Sequence, residues 1–228
     1  KFTARHVYVH DLVVPGMLHG RAIRPRRPGA RLLDVDASSV ADLDGARVIR
    51  KGDFVGVVAD DEWTAVRAAR ALGLAWSDAP PLAGAGDVAA WMRAGPFEAT
   101  ETLVKKGDAA TALGGDGMRR AGTYYWPMQT HGSIGPSCAV ADVRADGATI
   151  YTASQATHKY RPTFARILGL PADSVRLVYL DGAGCYGMNG HDDAAADAAL
   201  LSQAIGRPVR VQWMRGDEHG WDPKGPPQ

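Results

Sequence analysis

The chain has 228 residues, 26 basic and 25 acidic, for a formal charge of +1, a balance whose field selects neither nucleic acid nor an anionic membrane. With 46% apolar and 22% charged residues, it has the composition of a folded chain with one large core or two modest ones, not of a disordered or fibrous one. No apolar run reaches the roughly 18 to 20 residues of a membrane span, and nothing of signal-peptide type opens the chain. It starts at Lys1 without a methionine and closes on Asp222-Pro223-Lys224-Gly225-Pro226-Pro227-Gln228, and so reads as a piece of a longer polypeptide.

The pattern predicts strands over residues 17–23, 32–35, 48–49 and 54–59, the last two flanking the Lys51-Gly52-Asp53 turn. A helix follows up to Gly73: Trp63, Val66, Ala69 and Leu72 recur at near-helical spacing, and Asp60 or Asp61 can accept from the free N–H groups of its first turn. Ser38 and Ser39 fit the cap of a shorter helix before Gly45. This part has no cluster of catalytic residue types and reads as scaffold. Residues 78–87, with Pro80 and Pro81, and 107–117, with Gly114 and Gly115, lose periodicity. Such stretches link units, here one α/β unit before about residue 105 and another after about residue 118.

In the second unit, Val, Ile, Thr and Tyr content predicts strands around 123–126, 137–143 and 149–153. A helix is predicted over 161–168, with Pro162 near its first position and Gly169 at its end. A strand over 174–180, an alanine-rich helix over 192–205 capped by Asp192 or Asp193, and a last strand over 208–214 complete the order.

Between the strand ending near Leu180 and the alanine-rich helix lies Gly182-Ala183-Gly184-Cys185-Tyr186-Gly187, which satisfies the G-x-G-x-x-G pattern of dinucleotide-binding loops. Two features oppose a nicotinamide- or flavin-dinucleotide-dependent dehydrogenase. Met188-Asn189-Gly190-His191 separates the last glycine from the helix, and Gly206-Arg207-Pro208-Val209 stands about 20 residues on, where an acid should meet the ribose. Two readings of the loop remain. It is a tight strand-to-helix connection that needs glycine for its own geometry, or a backbone loop whose N–H groups approach an anionic or oxo group closely. Cys138 and Cys185 stand far apart in no C-x-x-C arrangement, so this chain alone cannot build an iron–sulfur or cysteine–zinc site.

The loop's neighbours are Tyr124-Tyr125-Trp126-Pro127-Met128-Gln129-Thr130-His131, Ser154-Gln155 at a strand end, Leu168-Gly169-Leu170-Pro171-Ala172-Asp173, Gly206-Arg207-Pro208-Val209-Arg210-Val211 and Arg215-Gly216-Asp217-Glu218. In order and spacing this resembles the first cofactor-binding domain of the molybdenum hydroxylases, the xanthine dehydrogenase and aldehyde oxidase family. The Gly-Ala-Gly-Cys-Tyr-Gly-x-Asn form is closer to the bacterial isoquinoline oxidoreductase type of β subunit. Pro15-Gly16-Met17-Leu18-His19-Gly20-Arg21 resembles the opening strand of the family's α/β hammerhead domain. The resemblance implies an α/β (α+β) fold: a hammerhead-like domain over residues 1–105, a linker over 106–117, and the N-terminal portion of a molybdopterin-binding domain over 118–228. Gly135-Pro136, where many relatives carry a glutamate before the proline, and Cys185 beside Tyr186 depart from the pattern where the pocket is shaped.

By the same resemblance the full subunit binds molybdopterin with molybdenum, in the cytosine dinucleotide form, and inserts a water-derived oxygen at an aldehyde or N-heteroaromatic carbon. Electrons leave through iron–sulfur clusters held by a separate subunit and not by this chain. Gln155 then has a catalytic and cofactor-binding role, donating its amide N–H to an oxo group on molybdenum. Gly182, Ala183, Gly184, Cys185, Tyr186 and Gly187 line the metal and pterin phosphate side, with Tyr186 above the site and no residue of this chain ligating metal. The family's general-base glutamate lies outside this chain, so the piece alone is inactive. The implied partners are the remainder of its own subunit, the iron–sulfur subunit and a small-molecule substrate, with no nucleic acid. His131 and His191 are either pocket-facing or hydrogen-bonded loop residues, and Arg215, Asp217 and Glu218 form a structural ion-pair and capping group. The other reading is a non-catalytic binding or assembly module on the same fold.

Overall fold

In the computed structural model, which describes residues 1–187 and 193–228, the elements in chain order are β1 (Leu18–Ile23), β2 (Leu32–Asp36), β3 (Arg47–Lys51), β4 (Phe54–Ala59), α1 (Glu62–Ala71), β5 (Gly73–Trp76), α2 (Val88–Ala94), α3 (Ala109–Gly114), β6 (Cys138–Val143), β7 (Ala148–Thr152), α4 (Thr157–Leu168), β8 (Val175–Tyr179), α5 (Asp193–Ile205), β9 (Val209–Gln212) and α6 (Arg215–Trp221). They fall into two units, Lys1–Pro80 with Thr130–Lys224, and Pro81–Gln129 with Gly225–Gln228.

The first unit is built on a seven-stranded mixed sheet in the order β3-β4-β1-β9-β6-β7-β8, with β2 and β5 paired separately. Strands from before residue 105 and after residue 118 thus share one sheet. Phe54-Val55-Gly56-Val57-Val58-Ala59 is apolar throughout because β4 is covered on both faces. Successive side chains of a strand point to opposite faces. Val57 therefore packs with Ala68 of α1 and with Leu72 just after it, while Val58 joins Leu201 and the alanines of α5 on the other face.

Helix α5 lies close to the sheet because its inner face is mostly alanine and two strand positions are glycine. A Cβ on Gly56 would stand 2.7 Å from the Arg21 carbonyl oxygen and 3.0 Å from Leu201 Cδ2, and one on Gly20 2.7 Å from Leu201 Cδ1. The opposite face carries an ion cluster. Glu62 at the start of α1 accepts from Arg21 at 2.8 Å and from Arg210 of β9 at 3.0 Å. Burial raises the Glu62 carboxyl, but the Arg21 hydrogen bond and the charges of Arg210 and Arg21 outweigh it, leaving it below its ordinary value.

At the helix termini, Asp61 caps α1, accepting from Trp63 N at 3.0 Å and Thr64 N at 2.8 Å, so two of the helix's free N–H groups are satisfied. Gly169 ends α4 in the left-handed conformation at φ 68°. Four expectations need correction. The turn after β2 is a 3-10 helix over Ala37–Val40 capped by Asp36, not by Ser38 or Ser39. Helix α4 begins at Thr157, a turn earlier than expected, and takes Pro162 inside it; the His158 carbonyl that loses its partner there belongs to an exposed residue. Residues 107–117 contain α3, capped by Asp108 through Thr111 N at 3.0 Å. Residues 123–126 form no strand. In the second unit, Trp126 N instead donates to Gln228 O at 2.9 Å, and Gln129 and Gly225 form a single β-bridge. None of that unit's residues is fully buried, and Phe97, Leu103, Val104, Tyr124 and Trp126 are exposed. The expected Asp192 cap and His191 lie outside the described residues, as do Met188, Asn189 and Gly190.

Candidate functional site

Two connections leave the sheet side by side because β7 and β8 run parallel as neighbours. Thr152 pairs with Tyr179, and Leu180 N donates to Thr152 O at 3.0 Å. Ligands of α/β sheets collect at such carboxyl ends. After β7, Ser154 is buried and its hydroxyl accepts from Ala156 N at 3.0 Å, closing a short turn before α4. Gln155 sits in that turn and is exposed. After β8 comes the glycine loop.

That loop is shaped by positive φ angles, 110° at Gly184, 55° at Tyr186 and 101° at Gly187. A tyrosine in this region is an outlier that costs on the order of 1 kcal/mol or more, so its surroundings must hold it there. The Tyr186 ring lies across Gly184: a Cβ at that glycine would be 3.3 Å from the ring and 3.3 Å from Ile134 N. Tyr186 and Gly187 are exposed, and Gly182, Ala183, Gly184 and Cys185 are partly buried.

Residues 131–137 form the loop's inner support. Gly135 N donates to Ala183 O at 3.0 Å, and the Ser133 hydroxyl reaches Cys185 O at 3.5 Å. His131 Nε2 stands 3.6 Å from where a Cβ of Gly187 would be, and its Nδ1 is buried with no hydrogen-bond partner among the described residues. His131 is thus brought to the glycine loop. Arg215, Asp217 and Glu218 act differently from the expected mutual ion pair. Arg215 donates to Ser133 O at 2.7 Å and Ile134 O at 2.8 Å. The fully buried Glu218 accepts from Ser137 N at 2.8 Å. Asp217 caps α6 at Met214 N, 3.0 Å away. Among the described residues these three make no ion pair with one another; two of them spend their charge on the support loop's backbone.

Behind the two loops is a cavity of about 30 Å³, lined among others by His10, Gly135, Cys138, Thr152, Gly182 and Gly184, room for about one water molecule. Burial pushes the Cys138 thiol up to about 12, so it is a thiol at neutral pH and no nucleophile. Nothing in the local sequence pattern points to the N-terminal segment that reaches this place. Val9 N donates to Asp181 O at 2.9 Å, and His10 Nε2 donates to Pro136 O at 2.7 Å. Lys1 and His6 lie 2.7 and 2.9 Å from the Asp181 carboxylate. The hydrogen bond from Lys1, then that from Tyr179, holds this carboxyl at about 2. These contacts span more than a hundred positions, and no motif of neighbouring residues could have signalled them.

The assembled surface is a backbone cradle flanked by a neutral amide. Among the described residues no three His, Cys, Asp or Glu side chains gather closely enough to hold a metal ion. The open, positive-φ loop and the exposed amide of Gln155 suit a large anionic group approached by N–H donors.

Residues 96–228 match a family model described as the molybdopterin cofactor-binding domain. The chain is 42% identical over 238 aligned residues to a nicotinate dehydrogenase subunit of Pseudomonas putida, the match taking in all of this chain and 20% of that protein. Its fold is similar to that of quinoline 2-oxidoreductase from Pseudomonas putida, with TM-score 0.74 and 21% identity over 95% of this chain and 33% of the other. It is similar also to aldehyde oxidoreductase from Desulfovibrio gigas, with TM-score 0.77 and 21% identity over 97% of this chain and 30% of the other. The chain thus spans about a fifth of the curated relative and about a third of the structural ones. With its α/β fold and the match over residues 96–228, the chain belongs to the molybdopterin cofactor-binding domain family of the molybdenum hydroxylases.

Proposed function

We propose that this chain forms one wall of the cofactor site in the large subunit of a molybdenum hydroxylase that oxidises an N-heteroaromatic carbon with water as the oxygen source. The observation that carries the reading is the side-by-side exit of the Gln155 turn and the glycine loop from the parallel pair β7 and β8. Bound molybdopterin, in the cytosine dinucleotide form, supplies the two-electron oxidation. The chain's own residues bind and orient. Gln155 offers a neutral amide donor, which stabilises negative charge without releasing a proton. Gly182, Ala183, Gly184, Cys185, Tyr186 and Gly187 would hold the cofactor through close approach of their backbone, with the exposed Tyr186 ring beside them. Residues 1–105 serve as the hammerhead-like part and 118–228 as the start of the cofactor domain. The name of the 42% identical relative favours an N-heteroaromatic substrate over an aldehyde. That relative is named as one subunit of its enzyme, and this chain matches a fifth of its length. Both facts support two partners, the remainder of the same polypeptide and a separate subunit; the assignment of iron–sulfur clusters to that subunit rests on the resemblance to the molybdenum hydroxylases.

The test is metal and pterin analysis of the native protein purified from its host, followed by Gln155→Ala. Molybdenum near one per chain, with turnover of an N-heteroaromatic acid lowered about a hundredfold in the variant and metal retained, is the expected result. A native protein without molybdenum and with its fold intact makes the chain a non-catalytic assembly module instead.

A further inference from the structure

The entrance of the glycine loop is held by one short piece of chain, directly at Asp181 and, through the Gly135-Pro136 turn, at Ala183. At its entrance, Asp181 takes the Val9 N–H on its carbonyl at 2.9 Å, and His6 Nε2 lies 2.9 Å from its carboxylate. Next to it, His10 Nε2 donates to Pro136 O at 2.7 Å, and Gly135 N in the same turn donates to Ala183 O at 3.0 Å. The piece is itself anchored. Arg210 of β9 donates to His10 O at 2.8 Å, and Val9 is fully buried, its carbonyl facing the Cys138 thiol at 3.9 Å.

On the side of Gly135 that faces Ala183 and His10, packing at the junction is tight. A Cβ on Gly135 would lie 2.6 Å from Ala183 Cβ and 3.0 Å from His10 Nε2. The imidazole, the Gly135 backbone and Ala183 therefore meet in one place, and the imidazole occupies room that a side chain at position 135 would need. Loops of such open geometry have small local opening free energies unless something outside them ties them down. Two glycines and a tyrosine at positive φ make this loop one that needs the tie.

We infer that His10 is a positioning residue for the glycine loop: through Pro136 and Gly135 it sets the height of Ala183 and Gly184, and so the approach of the loop's backbone to the cofactor. The part of this that concerns the cofactor rests on the function proposed above; the part that concerns the loop does not. His10 touches neither cofactor nor substrate in this assignment. Glutamine can reproduce the Nε2 donor, and leucine fills the space without it.

The experiment is hydrogen exchange and molybdenum content on the native protein and its His10→Gln, His10→Leu and Gly135→Ala variants. In His10→Leu and Gly135→Ala, amides of residues 181–187 exchange about tenfold faster while those of β8 and β9 keep their rates, and molybdenum content falls. His10→Gln restores both readings towards the native values. Unchanged exchange over 181–187 in His10→Leu overturns the inference, and so does a rise shared equally by the sheet strands, which means general destabilisation. If the native protein holds no molybdenum, the function above fails, and the exchange rates still decide whether His10 positions the loop.

Discussion

The Asp197 carboxylate, on the buried face of α5, takes two hydrogen bonds from one guanidinium nitrogen of Arg24, at 3.0 and 2.9 Å, and a third from the indole N–H of Trp213 at 2.9 Å. The same guanidinium stacks over the Trp213 ring at 4.6 Å. Burial pushes the Asp197 carboxyl above its ordinary value, against the pull of Arg24 and Trp213, so the group depends on these donors. Asp197→Ala removes the carboxylate partner of the partly buried Arg24 and of the buried Trp213 indole N–H. The expected cost is about 3 kcal/mol, measured by chemical denaturation.

Glycine positions separate tight packing from open space. Gly56→Ala drives a methyl against the Arg21 carbonyl oxygen at 2.7 Å, a backbone atom that cannot rotate away, and lowers stability by about 2 kcal/mol. Gly220, in α6, has nothing within 4 Å of its would-be Cβ, so Gly220→Ala raises stability by about 0.5 kcal/mol. Thermal or denaturant melts of the pair give shifts of opposite sign.

At Gly184 the φ of 110° and the contacts of a Cβ with Ile134 N and the Tyr186 ring both oppose a side chain. Gly184→Val distorts the loop while leaving the buried core clusters of the sheet untouched. The expected result is loss of molybdenum binding by the native protein, read by elemental analysis, with a melting point lowered by a few degrees at most.

The pH dependence of stability has a component from Asp181. Its carboxyl is held at about 2, chiefly by Lys1, whereas the unfolded chain protonates it near 3.9. Between about pH 4 and pH 2 the unfolded state therefore binds more protons, and stability is lost as pH falls through that window. Asp181→Asn flattens this part of the profile. Urea melts from pH 5 to pH 2 on both proteins check it.

The two cysteines differ in reactivity. Cys138 is buried with its thiol at about 12, and Cys185 is only partly buried. Iodoacetamide at pH 8 labels Cys185 first and leaves Cys138 unmodified until denaturant is added, as peptide mass spectrometry after timed quenching will show.

Local signals in the sequence read well where the chain satisfies itself locally. Asp61, followed by apolar residues at helical spacing, specifies the start of α1, since the cap and its receivers lie within three positions. Gly169 marks the end of α4 for the same reason. The reading fails where a local preference has two outcomes. Pro162 suits the first turn of a helix, yet α4 starts at Thr157, because the carbonyl left without a donor belongs to the exposed His158. Thr123, Tyr124, Tyr125 and Trp126 have strand character, but β propensity forms a strand only when a partner edge is present.

The order of most strands and helices, the loop with its glycines, and the family are legible in the chain of residues alone, because periodicity, caps and short motifs are written in neighbouring positions. Folding in three dimensions was needed to bring Gln155 and Gly182 to the ends of adjacent parallel strands, to set Glu218 and Arg215 on the backbone of residues 133–137, and to stand His10 under Pro136. Those relationships arise from strand pairing and from burial. Both close contacts between residues far apart in the chain, and no local pattern encodes which distant partner a carbonyl or a glycine will meet.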